Sequence, residues 1–67
     1  MNLRPYFEKN VRIVYKDGEV ITGFVKTYTP AIDTEEELYD EIALIGTKYG
    51  GLNEVGEEEI ESIEIIE

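Results

Sequence analysis

The chain contains no cysteine, no histidine and no tryptophan. Without cysteine there can be no disulfide and no thiolate metal site. Without histidine the commonest transition-metal ligand is missing. The same two absences bear on catalysis. Ser62 is the only serine, and it stands between Glu61 and Ile63. It has no histidine or cysteine to pair with, so the usual nucleophile–base arrangements cannot be built. Neither an enzyme nor a cofactor is expected. Long apolar runs are also lacking: none approaches the ~20 residues needed to span a bilayer. The opening "MNLRPYFEKN" has no extended apolar segment of the secretory kind. These absences predict a soluble, cytoplasmic protein with no membrane partner.

Basic residues are scarce, and unevenly placed. Six lysines and arginines stand against sixteen acids, a net charge of −10. Residues 1–30 carry five bases and three acids, a net +2. Residues 31–67 carry Lys48 alone against thirteen acids, a net −12. Nucleic acids are polyanions, and binding them rests on neutralising phosphates. Only the first half can offer them a basic face. Length sets a further bound. Sixty-seven residues are read as one domain, 1–67. A domain of about this size buries only ~60% of its unfolded surface. With disulfides and thiolate metals excluded, a compact barrel or an oligomer is the remaining source of stability.

The pattern along the chain is mostly that of strands. Leu3, Tyr6 and Phe7 share the spacing of one helical face. They predict a short N-terminal helix, opened by Asn2, over one end of the core. "NVRIVYKDGEVITGFVKTY" (10–28) reads as a hairpin turning at Asp17-Gly18. Val11, Ile13 and Tyr15 alternate with Arg12, Val14 and Lys16. In the second strand Ile21, Gly23, Val25 and Thr27 are predicted to point inward. Gly23 marks a sharp bend. Pro30 ends that strand, and an acidic connection follows. "EIALIG" (41–46) is a third strand with Ile42 and Leu44 on one face, and a fourth lies around Leu52 to Val55. "EEE" after Gly56 suggests one 3₁₀ turn. The last strand (60–67) places Ile63 and Ile65 on one face, with Ile60 and Ile66 packing at its ends. The expected fold is all-β: a small five-stranded barrel with a short N-terminal helix, closed because closure removes sheet edges.

Several residues carry a resemblance. Leu3, Val11, Ile13, the Lys16-Asp17-Gly18 turn, Gly23 five positions later with Val25 beyond it, and "EIESIEII" (59–66) together resemble the Sm-like (LSm) family, in particular its small bacterial members. The resemblance covers most of the chain. It implies a barrel of the Sm-like or SH3-like kind, and in the Sm-like family one that often binds RNA and often assembles into rings, strand four of one copy against strand five of the next. The family's RNA pocket uses an Asp, a bulky apolar residue and an Asn, then Arg-Gly or Lys-Gly. The corresponding residues here are Thr29, Ile32, Asp33, Val55 and Gly56. Asp33 lacks the amide donors of Asn, and Val55 lacks a guanidinium. By residue type the pocket is degenerate. "YTPAID" (28–33) looks like a feature shared with the bacterial sub-family. In a ring, Glu54 on one strand would meet Glu61, Glu64 and Glu67 on the other. Like charges facing across strands cost up to ~1 kcal/mol per pair. Monomer, small oligomer and ring all stay open.

Two functional readings follow. The first is a non-catalytic interaction module that binds protein or associates with itself. The second is a divergent RNA binder using a basic, aromatic face on the first hairpin: Arg12, Lys16, Phe24, Lys26 and Tyr28. The acidic run "DTEEELYDE" (33–41) offers Asp33, Glu35, Glu37, Asp40 and Glu41 as hard oxygen ligands. It has no glycine where a calcium loop needs one, so it is read as a solvated loop, and no metal is expected.

Overall fold

A computed structural model describes residues 2–31 and 39–66. Five strands form: β1 (Asn10–Tyr15), β2 (Val20–Thr29), β3 (Glu41–Ile45), β4 (Asn53–Gly56) and β5 (Ile60–Ile65). Two single 3₁₀ turns accompany them, at Arg4–Tyr6 and at Glu57–Glu59. The second falls where the three consecutive glutamates predict it. No helix among the described residues is long and apolar enough to cross a membrane.

Alternation creates β1: Val11 and Ile13 are fully buried, while Arg12 between them is exposed. Lys16, Asp17 and Gly18 then form a three-residue loop. The Gly18 N–H donates to the Tyr15 carbonyl at 2.9 Å, and the Tyr15 N–H to the Glu19 carbonyl at 2.8 Å. Gly18 has φ +94°, a conformation that glycine adopts without steric penalty. Asp17 fixes the turn from its side chain, accepting the Glu19 N–H at 2.9 Å.

The sheet is antiparallel throughout, in the order β4-β3-β2-β1-β5. β2 is central and longest. Ile21, Gly23 and Val25 face inward, as their alternation predicts. Thr27 does not, because the β2–β3 register slips between Val25 and Thr27. Lys26 is the extra residue of this bulge, so Tyr28 takes the inward position and Thr27 is exposed. At Gly23 the reason for glycine is a close approach. A Cβ there would lie 2.8 Å from the Ile45 carbonyl oxygen and 2.8 Å from Thr47 Cγ2.

The sheet is not closed into a barrel. β4 and β5 are its two edges and do not pair with each other. They are nevertheless consecutive in sequence, joined only by Glu57–Glu59. Four residue steps reach at most about 14 Å. Five strands laid flat would separate the outer pair by about 19 Å. The sheet must therefore coil strongly, bringing its edges near each other at the connection.

Inside the coil lies one core: Leu3, Val11, Ile13, Ile21, Val25, Ile42, Leu44, Val55 and Ile60, with Tyr6, Tyr15, Tyr28 and Ile63 packed against it. Every strand contributes, and Leu3 enters from the N-terminal turn. The expected short helix is a single 3₁₀ turn, and Leu3 rather than Asn2 holds its cap position. Asn2 still accepts the Arg4 N–H at 3.1 Å. Phe7 leaves the helical spacing in extended backbone and is exposed. Two further expectations change at the end of the chain. Ile65 and Ile66 are 46% and 45% exposed, because β5 is an edge and nothing in the described structure covers its far end.

The tight approach at Gly23 is testable. Gly23→Ala should cost about 1–3 kcal/mol through overpacking. In a domain this small that is a fall in melting temperature of about 4–8 °C per kcal/mol. Thermal unfolding followed by circular dichroism reads it; an unchanged midpoint would contradict the close β2–β3 contact.

Candidate functional site

The five residues of the predicted basic face are not gathered on one surface. Arg12 lies on the outer side of β1, and its guanidinium pairs with Glu64 across the β1–β5 ladder. Lys16 sits at the hairpin tip, along a hollow that also contains Glu58 and Glu59. Phe24 is half-buried beside Asn10 and Ile45. Lys26 is exposed at the β2 bulge. Tyr28 packs inward on the core. Of the three cations, Arg12 is held in an ion pair.

Of the degenerate family pocket, Thr29, Val55 and Gly56 are described, and Thr29 and Gly56 flank Glu41 on neighbouring strands. Thr29 ends β2 opposite Glu41. Val55 is fully buried in the core, opposite Ile42. Gly56 is buried beside it, opposite Glu41. Ile32 and Asp33 lie outside the described residues, as do Glu35 and Glu37 of the acidic run.

One acidic residue does something that a solvated loop does not. Asp40 is only 9% exposed. Its Oδ2 accepts the Leu3 N–H at 3.0 Å and the Tyr28 hydroxyl at 3.2 Å, and its Oδ1 accepts the Ala31 N–H at 2.9 Å. Its own N–H donates to Glu57 Oε1 at 3.0 Å, while the Glu57 N–H donates to the Asp40 carbonyl at 2.9 Å. The Leu3 N–H does most to hold the Asp40 carboxyl below the usual carboxylate range. Burial works against that, and the Ala31 N–H and Tyr28 hydroxyl add to it. The Tyr28 phenol is raised by burial and then by the Asp40 charge. This is a carboxylate whose hydrogen bonds come from the protein itself. Among the described residues no group of three or more carboxylates is placed to hold one.

Three accessible surfaces among the described residues bear on binding. Two are the sheet edges. β4 carries the exposed Glu54, with Leu52 57% exposed just before it, and β5 carries exposed Glu61, Glu64 and Ile65. The third is a cleft of about 280 Å³ lined by Tyr15, Asp17, Glu19, Tyr49 and Glu59. It lies where the hairpin tip meets the β3–β4 turn. That turn is built on Thr47 and Asn53: the Asn53 amide donates to Thr47 Oγ1 and to the Gly50 carbonyl, both at 2.9 Å, and the Tyr49 N–H donates to Thr47 Oγ1 at 3.2 Å. Burial, then Glu59, Glu19 and Asp17, push the Tyr15 phenol up, so it is neutral at physiological pH. No family model, curated protein or solved structure matches the chain.

The role of Asp40 predicts an acid limb to stability. Its folded-state pKa is depressed, so its contribution is fully present above the unfolded value near ~3.9 and is lost as pH falls through the lower folded value. Asp40→Ala leaves the Leu3 and Ala31 N–H groups without their acceptor and should cost about 2–3 kcal/mol near neutral pH. Denaturant unfolding at neutral pH and below pH ~4 checks both points. The variant should lose less on acidification than the parent; equal losses would place the acid-sensitive group elsewhere.

Proposed function

We propose that the chain is a non-catalytic interaction module of the Sm-like kind, and that it binds protein, a second copy of itself foremost, along the open edges of its sheet. The observation that carries this reading is the edge pair. β4 and β5 each have one partner strand among the described residues. An edge strand presents backbone donors and acceptors that template another strand, and such addition is a recurrent mode of recognition. Exposed Leu52 lies beside one edge, and exposed Ile65 and Ile66 at the other, where added strands would cover them.

Charge is the opposing term. Glu54 on β4 and Glu61 on β5 would repel across a β4–β5 contact. Glu64 is already paired with Arg12, which removes part of that repulsion. The small core adds a motive, because a second copy buries apolar surface that one copy leaves in water. The same Arg12–Glu64 pair, with Val55 in the core, favours protein over RNA as the partner. The lack of cysteine agrees with a reducing, cytoplasmic setting.

Size-exclusion chromatography with light scattering tests the assembly. The parent chain should show a mass above 7.7 kDa that rises with concentration. Ile65→Lys should return it to monomer while the circular dichroism spectrum is kept. A monomer mass for the parent at every concentration would overturn self-association.

A further inference from the structure

We propose that the cleft between the hairpin tip and the β3–β4 turn receives an arginine side chain from a basic segment of a partner protein. This surface is separate from the sheet edges, and the inference does not rest on self-association.

Size and rigidity come first. At about 280 Å³ the cleft is smaller than the ~300–1,000 Å³ typical of ligand and cofactor sites, and suits one long side chain. Its walls are fixed by hydrogen bonds rather than by the ligand. The loop bonds between Tyr15, Gly18 and Glu19 set the hairpin tip. The Lys16 N–H donates to the Glu59 carbonyl at 3.0 Å and pins the second 3₁₀ turn against it. Thr47 and Asn53 hold the Tyr49 backbone on the other side, with the Tyr49 ring exposed. Loops set in this way leave chiefly side chains to order on association.

The chemistry of the lining selects a cation. Two phenol rings provide π-faces, and Asp17, Glu19 and Glu59 provide carboxylates. A cation stands at its rim, outside the lining residues. The Lys48 ammonium lies 5.3 Å from the centre of the Tyr49 ring and 3.7 Å from Glu19 Oε1. One ring and one carboxylate of the lining are thus placed where a single cation can approach both. The Lys48 contact is loose, since charge-assisted hydrogen bonds are about 2.7–2.9 Å. Among the described residues Asp17 and Glu59 form no ion pair, so neither charge is answered by a salt bridge, although Asp17 also accepts the Glu19 N–H.

A metal ion is a poor match. It needs several oxygens converging at short range, and no such group exists among the described residues. An extended cation is a better one. Guanidinium is planar, stacks on aromatic faces and forks onto carboxylates, whereas ammonium is a point charge with a tighter water shell. Arginine can therefore use both rings and the unanswered carboxylates, and displace Lys48 from the rim.

Nuclear magnetic resonance titration of the full chain tests this. The probes are a capped glycine-rich peptide with one arginine and the same peptide with neutral citrulline. Saturable amide shifts at Tyr15, Gly18, Tyr49 and Glu59 are expected with arginine and not with citrulline. Tyr49→Ala and Glu59→Gln should each weaken binding about fivefold, the loss of one cation–π or charged contact. Lys48→Ala should strengthen it by removing the internal competitor. Glu8→Gln, with the same charge change on an exposed residue outside both the cleft and the sheet edges, should leave it unaltered. Shifts spread over the acidic surface, or equal weakening by Glu8→Gln and Glu59→Gln, would overturn the site. Retained spectra of the free variants show that they fold.

Discussion

The carboxylate of Asp40 joins stretches of chain that are remote in sequence. Leu3 is 37 residues away, Tyr28 twelve and Ala31 nine, and all three donate to it. Its backbone exchanges two further hydrogen bonds with Glu57, 17 positions on. The N-terminal turn, the end of β2, the start of β3 and the exit from β4 therefore meet at one acidic group. With no disulfide available, this polar junction fixes what the core alone would leave loose. It brings Leu3 into full burial, and Leu3 is one of the largest side chains in a core of nine. A buried charge is tolerated only when it is thoroughly hydrogen-bonded, and Asp40 meets that condition with protein donors.

The second constraint is the short link between the sheet's two edges. A single 3₁₀ turn between β4 and β5 forces the sheet to coil. The glycine at 23 and the bulge at Lys26 supply local means of doing so: one lets β2 press against the end of β3, the other raises twist in the longest strand. Coiling closes the core without closing the hydrogen-bond ladder. That outcome leaves edges for strand addition, and it brings the hairpin tip, Tyr49 and Glu59 together around a cleft. Both proposed interactions arise from the same bend.

Much of the fold was legible because its signals are local. Asp17-Gly18 needs only a turn geometry, and the alternation of Val11 and Ile13, or of Ile42 and Leu44, needs only a period of two. Thr27 was misread because a bulge shifts that period by one without changing composition. Ile65 has an inward pattern, but edge position decides its exposure, and sequence alternation does not encode position in the sheet. Asp40 was hidden in an acidic run where every neighbour looks solvated; its partners are backbone N–H groups from distant segments, which no residue pattern displays. The hairpin's cations suggested a basic face, yet Arg12 meets Glu64 only once β1 and β5 pair. The cleft was invisible for the same reason, as its lining comes from three separate segments.

The central claim is that β4 and β5 are working edges, and amide hydrogen exchange at two protein concentrations tests it most directly. The β2 amides, inside the sheet, serve as the reference. Self-association through the edges predicts that exchange in Asn53–Gly56 and Ile60–Ile65 slows as concentration rises while β2 is little changed. Edge exchange that is independent of concentration, or slowing spread evenly over all five strands, would contradict it.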